Sequence, residues 1–170
     1  MLIEKITENF QNLTKNINEK EFIFNFIEAL DFPKTTISRL KKGNYNISKK
    51  ENELVWRKKI YFINCKNLKG DIHVITDDLQ KSEYVKKNNF RFLIVTNFNT
   101  FLSVDTKTKQ TIDCNIKTLP NNANFFLPLL GIEKFQEADE NPADIKASVK
   151  MGKLYEQILV DNKDWDLDVN

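Results

Sequence analysis

The fold class of this chain is decided by the run FRFLIVT at residues 90–96, followed closely by TFLSVD at residues 100–105. The first run is short, rich in β-branched residues and almost continuously apolar, which is typical of a strand buried on both faces. Residues 97–99 between the two runs predict a tight connection. We therefore predict two adjacent antiparallel strands at the centre of a sheet.

The sequence on either side of this pair predicts more strands and the helices that cover them. Alternating apolar residues predict one long strand over 53–63, and a further strand is predicted over 110–116. Helical spacing predicts a helix over 70–88, and a short apolar helical segment is predicted over 125–130. This order of elements indicates an α/β fold with a mixed sheet flanked by helices.

The first 43 residues read as entirely helical. A first amphipathic helix is predicted over 2–17. A second helix is predicted to begin at the N-cap Asn18 with Glu21 completing a capping box, and to end at Pro33. Pro33 can also open a third helix, which Gly43 terminates. The sheet would therefore be preceded by a helical N-terminal segment.

The domain prediction is one α/β domain over residues 1–160, with an acidic tail or the start of a linker after it. Asn141 and Pro142 predict the start of the last helix. The subdivisions are helical 1–43, sheet-containing 44–132, a C-terminal helix over 141–160 and the tail over 161–170.

Composition excludes several classes of protein. The chain has 170 residues, of which 41% are hydrophobic and 29% charged, so it can build a core. Two cysteines and one histidine cannot form a disulfide framework or a histidine-rich zinc site. The N-terminus lacks the order of a signal peptide, and no long apolar run predicts a membrane span. We expect a cytoplasmic protein without a membrane partner.

Charge is distributed unevenly along the chain. Residues 34–69 contain eleven Lys or Arg and two Glu, whereas residues 133–170 contain five Lys and ten acidic residues. The basic stretch is either a face that contacts DNA phosphates or an ordinary solvated lysine-rich surface, and the sequence leaves both open. The candidate DNA-binding residues are Lys41, Lys42, Lys49, Lys50, Arg57 and Lys59.

The basic stretch also contains part of a nuclease pattern. Nucleases of the PD-(D/E)xK kind place Glu-x-Lys on a strand, where residues two apart share a face, and their acids hold Mg²⁺. Lys58 would share its face with Trp56, and Glu53 would lie on the opposite face. The chain thus has the lysine of such a site without the acid beside it.

The order of motifs along nearly the whole chain resembles a known family. It is similar to the N-terminal domain of MmeI-like single-chain type IIG restriction–modification enzymes, a group that includes proteins usually described as DNA methyltransferases. The motifs are RLKKG (39–43), FRFLIVTNF (90–98), LSVD (102–105), FFLPLLGIE (125–133), ENPADIKA (140–147) and MGKLY (151–155).

The resemblance implies a PD-(D/E)xK nuclease-like fold. In such enzymes this domain precedes a helical connector, a methyltransferase domain that uses S-adenosylmethionine, and a target-recognition domain. The implied partners are DNA and those downstream domains, and no cofactor is expected in this segment itself. Mg²⁺ would be expected only if the nuclease were active.

The resemblance also assigns nuclease positions. The cleaving members show Asp, nine residues, then Glu-x-Lys, and these positions fall on Asn46, Trp56 and Lys58. Because two of the three lack a carboxylate, no metal is expected there. We expect a cleavage-defective domain that contacts DNA or acts as a scaffold. The alternatives are an active Mg²⁺-dependent endonuclease that uses Glu51 or Glu53 instead, and a freestanding interaction module.

Overall fold

A computed structural model describes residues 1–133 of the chain. The predicted helix over 141–160 and the acidic tail over 161–170 lie outside the described residues. The helices are α1 Leu2–Lys15, α2 Phe22–Ala29, α3 Lys34–Lys41, α4 Ile72–Lys81, α5 Glu83–Asn88 and the 3₁₀ helix η1 Ile116–Leu130. The strands are β1 Glu53–Trp56, β2 Ile60–Asn64, β3 Phe92–Thr96, β4 Thr100–Asp105 and β5 Thr111–Asn115.

The strands form one mixed sheet in the order β1-β2-β3-β4-β5. β2 and β3 pair in parallel and the other neighbours are antiparallel. β3 lies in the middle and all five of its residues are buried, as expected for its continuous apolar run. The predicted antiparallel pairing of the two central runs is confirmed, with Leu93 opposite Val104. The predicted strand over 110–116 is confirmed as β5.

The helical N-terminal segment is confirmed, but α2 begins later than predicted. The Asn18 side chain accepts hydrogen bonds from the N–H groups of Lys20 (3.2 Å) and Glu21 (3.4 Å), which closes a turn ahead of the helix. The Glu21 carboxylate does not complete a capping box, because it pairs with Lys41 Nζ at 2.5 Å. The helix therefore starts at Phe22.

The prediction of one long strand over 53–63 is wrong, because β1 and β2 form a hairpin. Trp56 pairs with Ile60 across a connection of residues 57–59, and Lys58 at its centre has φ of 64°. Lys58 is therefore exposed in a turn and does not share a strand face with Trp56. Lysine rarely adopts a positive φ, and residues 57–59 contain no glycine or asparagine. The sequence therefore gives no sign of this turn.

The prediction of one helix over 70–88 is also wrong, because the segment contains α4 and α5. Asp71 caps α4 by accepting a hydrogen bond from the His73 N–H at 2.7 Å. Ser82 between the two helices has extended backbone angles, and Asn89 ends α5 in the left-handed conformation. Serine favours such helix boundaries because its hydroxyl competes for backbone hydrogen bonds.

The apolar segment predicted over 125–130 is helical, as expected, but it belongs to the longer η1. The Asn115 side chain caps η1 through the Lys117 N–H at 2.9 Å, and the helix bends at Asn122. η1 packs against α1, so the first and last described helices are neighbours. Among residues 1–133 no helix is long and apolar enough to span a membrane.

Two apolar clusters lie on opposite faces of the sheet. The Phe-rich face is covered by the N-terminal helices and η1. Its buried phenylalanines are Phe10, Phe22, Phe26, Phe62, Phe92, Phe98, Phe101 and Phe126. The aliphatic face is closed by residues of α4 and α5 and is built mainly of Val55, Ile63, Leu93, Val95, Leu102 and Val104. Residues 1–133 therefore contain two cores of different character.

Two polar residues of β4 are fully or almost fully buried. Asp105 accepts two hydrogen bonds from the Arg91 guanidinium, at 2.9 and 3.0 Å. Burial disfavours its charged form, but these bonds and those from the N–H groups of Thr108 and Lys107 outweigh burial and hold the pKa of Asp105 below its usual value. The Ser103 hydroxyl, in contrast, is buried with no hydrogen-bond partner in the described part of the chain.

Candidate nucleic-acid interface

The nuclease positions assigned by resemblance meet at one edge of the sheet. The loop that connects α3 to β1 runs beside the end of β1, where Asn46 forms an isolated antiparallel bridge with Trp56. The Ile47 N–H donates to the Val55 carbonyl at 3.0 Å, which holds the loop in this register. The structure therefore brings Asn46 and Trp56 opposite each other, and we call this place the bridge corner.

The Asn46 side chain has a structural role in the bridge corner. Its Oδ1 atom accepts hydrogen bonds from the N–H groups of Val55 (3.0 Å) and Ser48 (3.1 Å). A carbonyl oxygen has two lone pairs, so both are engaged by backbone groups. Asn46 thus fastens the loop to β1 and offers no free oxygen to a cation.

Trp56 fills the neighbouring space with an aromatic stack. Its ring meets Phe32 edge-on at 5.4 Å and lies nearly parallel to Tyr45 at 6.5 Å between centroids. An indole has one N–H donor and no acceptor, whereas Mg²⁺ requires oxygen ligands. The residues at the assigned metal-binding positions therefore do not fit Mg²⁺.

The two alternative acids lie elsewhere. Glu51 is exposed. Glu53 accepts a hydrogen bond from Ser48 Oγ at 3.1 Å and lies 3.6 Å from Lys50 Nζ. Strand alternation places Glu53 on the opposite face of β1 from Trp56. Within residues 1–133 no group of three or more His, Cys, Asp or Glu side chains is arranged to hold a metal ion.

Several candidate DNA-binding residues already have partners within the fold. Lys41 pairs with Glu21 and lies over the Phe24 ring, with Nζ 5.3 Å from its centroid. Lys50 lies beside Glu53, and Lys59 Nζ donates to the Leu129 carbonyl at 3.3 Å. These three side chains would have to exchange an internal partner for a phosphate.

The other candidates are exposed and make no ion pair with another residue of 1–133. They are Lys42 just after α3, Lys49 in the loop and Arg57 in the hairpin turn. Lys42 also lines an open groove of about 410 Å³ beside α3, together with Lys34 and Lys41. Exposed cations thus occur in each segment that leads to or leaves the bridge corner.

Sequence reasoning did not single out the most exposed aromatic side chain of the bridge corner. Tyr45 is 40% exposed, and its hydroxyl accepts a hydrogen bond from the Arg39 guanidinium at 2.9 Å. The guanidinium carbon lies 5.9 Å from the centre of the Tyr45 ring. The signal for this contact was Gly43, which ends α3 with φ of 84° and reverses the chain.

A second polar cluster lies on the opposite side of the sheet. His73 Nδ1 is 2.9 Å from Asp71 and its Nε2 is 2.6 Å from Asp113 on β5. The hydrogen bonds that the His73 ring donates to Asp113 and then to Asp71 raise the pKa of His73, and the bonds that Asp71 accepts from the His73 backbone and side chain lower the pKa of Asp71. This exposed cluster, the His73 clasp, joins the start of α4 to the edge strand.

Comparison with known proteins agrees with the family resemblance of the sequence. The sequence matches the family described as "MmeI, N-terminal domain" over residues 1–161. It is 32% identical over 163 residues to a protein of Bacillus subtilis (strain 168) named DNA methyltransferase A. That match covers 95% of this chain and 18% of the relative's length. No solved structure matches the chain significantly.

Proposed function

The chain belongs to the MmeI N-terminal domain family, and on that basis we propose that it is the nuclease-like N-terminal domain of a restriction–modification DNA methyltransferase and contacts DNA without cleaving it. The observation that carries this proposal is the Asn46–Trp56 bridge. An amide and an indole stand where the resemblance places two metal-binding carboxylates. S-adenosylmethionine would be used by a downstream methyltransferase domain, and the target-recognition domain would read the sequence.

The absence of cleavage follows from the chemistry of the bridge corner. Both lone pairs of the Asn46 oxygen are engaged by backbone N–H groups, and Trp56 offers none. Glu53 lies on the other face of β1 and is engaged by Ser48 and Lys50. Without two convergent carboxylates, a Mg²⁺ ion that could activate water would not be held here.

DNA contact is supported by the exposed cations around the bridge corner. Lys42, Lys49 and Arg57 can reach a phosphate without breaking an ion pair within residues 1–133. Lys41 and Lys50 each have an internal acidic partner that a phosphate would have to displace. We therefore expect the first three residues to contribute most to affinity. Contacts of this kind position a protein on DNA without reading its sequence.

Incubation of the purified chain with supercoiled plasmid and either Mg²⁺ or Mn²⁺ tests the loss of cleavage. The plasmid should remain supercoiled. Nicking that disappears in Glu51→Gln, Glu53→Gln or Lys58→Ala, but persists in the control Glu83→Gln on α5, would show that a working centre has formed on other residues and would contradict the proposal. Nicking that persists in all four variants would not arise at this site.

Fluorescence anisotropy with a labelled duplex tests DNA contact. The combined variant Lys42→Gln, Lys49→Gln and Arg57→Gln should weaken binding and lower the slope of log affinity against log salt by about 2 to 3. The matched control neutralises the exposed Lys81, Lys86 and Lys87 of α4 and α5 and should keep the slope. Equal losses in both variants, or no binding by the original chain, would overturn the proposal.

A further inference from the structure

The exposed tyrosine of the bridge corner is held in place from several sides. Gly43 ends α3 with a Schellman motif, in which the Asn44 N–H donates to the Arg39 carbonyl and the Gly43 N–H to the Leu40 carbonyl. This turn brings Tyr45 back over the last turn of α3, where Arg39 bonds its hydroxyl. The next residue, Asn46, is held against β1 because its Oδ1 atom accepts a hydrogen bond from the Val55 N–H. The ring is therefore positioned before any ligand arrives.

The aromatic stack connects this ring to the Phe-rich face. Phe32 and Trp56 are partly buried and pack against that face, and Tyr45 lies nearly parallel to Trp56, with 17° between the ring planes. Trp56 and the Arg39 guanidinium both lie against the Tyr45 ring, and 40% of the residue remains exposed. Arg57 and Lys58 follow Trp56 directly and are both exposed. The bridge corner therefore presents a fixed, partly exposed aromatic ring, and the exposed cations Arg57 and Lys58 follow its neighbour Trp56 in the chain.

From this geometry we infer that Tyr45 is a stacking platform for an unpaired base of single-stranded DNA. The inference rests on the proposed DNA contact and specifies its substrate. An unpaired base has a free π-face, and stacking on an aromatic side chain contributes substantially to affinity without requiring a particular sequence. The Arg39 guanidinium and the cations that follow Trp56 supply the positive charge that such a strand requires. In duplex DNA the bases are already stacked on one another and leave this platform unused.

The test compares a short thymidine oligomer with a duplex of equal length, using the full chain. Tyr45→Ala should weaken binding of the oligomer roughly tenfold and change duplex binding less than about twofold. Tyr45→Phe should keep the affinity, because it retains the ring and loses only the bond to Arg39. The matched control is Tyr84→Ala, since Tyr84 is 47% exposed on α5 beside Tyr61 and Phe90.

Tryptophan fluorescence provides a second readout that does not depend on the alanine variant. In a Trp165→Phe background Trp56 is the sole indole of the chain. Stacking of thymine on Tyr45 should change the emission of Trp56, because Trp56 packs against the same ring, and the duplex should leave that emission unchanged. This measurement holds even if Tyr45→Ala lowers the stability of the fold.

The outcomes separate this inference from the proposed function. If Tyr45→Ala binds the oligomer as well as the original chain does, the platform is wrong, while a salt-dependent loss in the lysine and arginine variant still supports DNA contact. Equal losses in Tyr45→Ala and Tyr84→Ala would also overturn the platform. If the original chain binds neither nucleic acid, both proposals fail.

Discussion

The two faces of the sheet use the same five strands but are closed in different ways. The Phe-rich face interlocks aromatic rings from α1, α2, η1 and the strands. Phe26, for example, lies within 6.3 Å, centroid to centroid, of four other rings. The aliphatic face is covered by α4 and α5, with the exposed His73 clasp at its edge. One face depends on interlocked rings, whereas the other depends on short helices and a surface contact.

This difference shows which face supports the bridge corner. Trp56 and Phe32 pack against the Phe-rich face, and no residue of the bridge corner described above belongs to α4 or α5. Damage to the Phe-rich face should therefore disturb the corner, whereas damage to the aliphatic face should leave it largely intact. Four variants test this comparison.

Phe26→Ala should have the largest effect, because Phe26 is fully buried at the centre of the aromatic cluster. We expect the free energy of unfolding to fall by about 3–5 kcal/mol, measured by urea denaturation. Trp56 emission should change as well, since the corner rests on this face. A loss below about 1 kcal/mol would show that the rings are not the main support.

Val85→Ala removes an apolar side chain of α5 from the aliphatic face, where Val85 is 5% exposed. The expected loss is about 1–2 kcal/mol, because roughly two methylene equivalents are removed. DNA affinity should stay within about twofold of the original. A loss as large as that of Phe26→Ala would abolish the proposed difference between the faces.

Ser103→Ala should stabilise the chain slightly. The Ser103 hydroxyl is fully buried, lacks a hydrogen-bond partner among residues 1–133 and projects to the Phe-rich side of β4. Removing an unsatisfied polar group should raise the free energy of unfolding by up to about 1 kcal/mol. Ser103→Thr, which keeps the hydroxyl, is the control and should not be stabilised. A clear destabilisation by alanine would mean that the hydroxyl does have a partner.

His73→Gln should have the smallest effect, and one that depends on pH. The His73 pKa is raised in the folded chain by Asp113 and then Asp71. Its stabilisation is therefore complete below the ordinary histidine pKa of about 6.5 and is lost as pH rises through the folded value. The urea midpoints of the original chain and the variant should differ in mildly acidic buffer and converge in alkaline buffer. A constant difference would rule out titration of this clasp.

The hairpin of β1 and β2 shows where sequence patterns were insufficient. Trp56 and Ile60 face each other across a connection of residues 57–59, so both remain on the same face of the sheet. An unbroken strand would place them on one face as well, because they are an even number of residues apart. Only a residue typical of turns, such as glycine or asparagine, could distinguish a hairpin from one unbroken strand, and Lys58 is not such a residue. The central strands, in contrast, are predictable because their apolar runs are almost continuous and clearly separated.

The bridge corner was predictable only in part. Resemblance placed Asn46 and Trp56 together as nuclease positions, and the isolated bridge joins them. It could not show that the Asn46 oxygen binds backbone N–H groups, because that depends on the path of the loop. The position of Tyr45 could not be predicted, because it depends on the path of the chain after the reversal at Gly43.

The contact between α1 and η1 has a consequence for synthesis on the ribosome. α1 can pack on α2 early, but the Phe10 ring also meets Phe126, which is translated more than a hundred residues later. At about 5–20 residues per second, α1 must wait on the order of 5 to 25 seconds for η1. Throughout that interval an apolar surface of the nascent chain remains open, which is where a chaperone would bind before the domain closes.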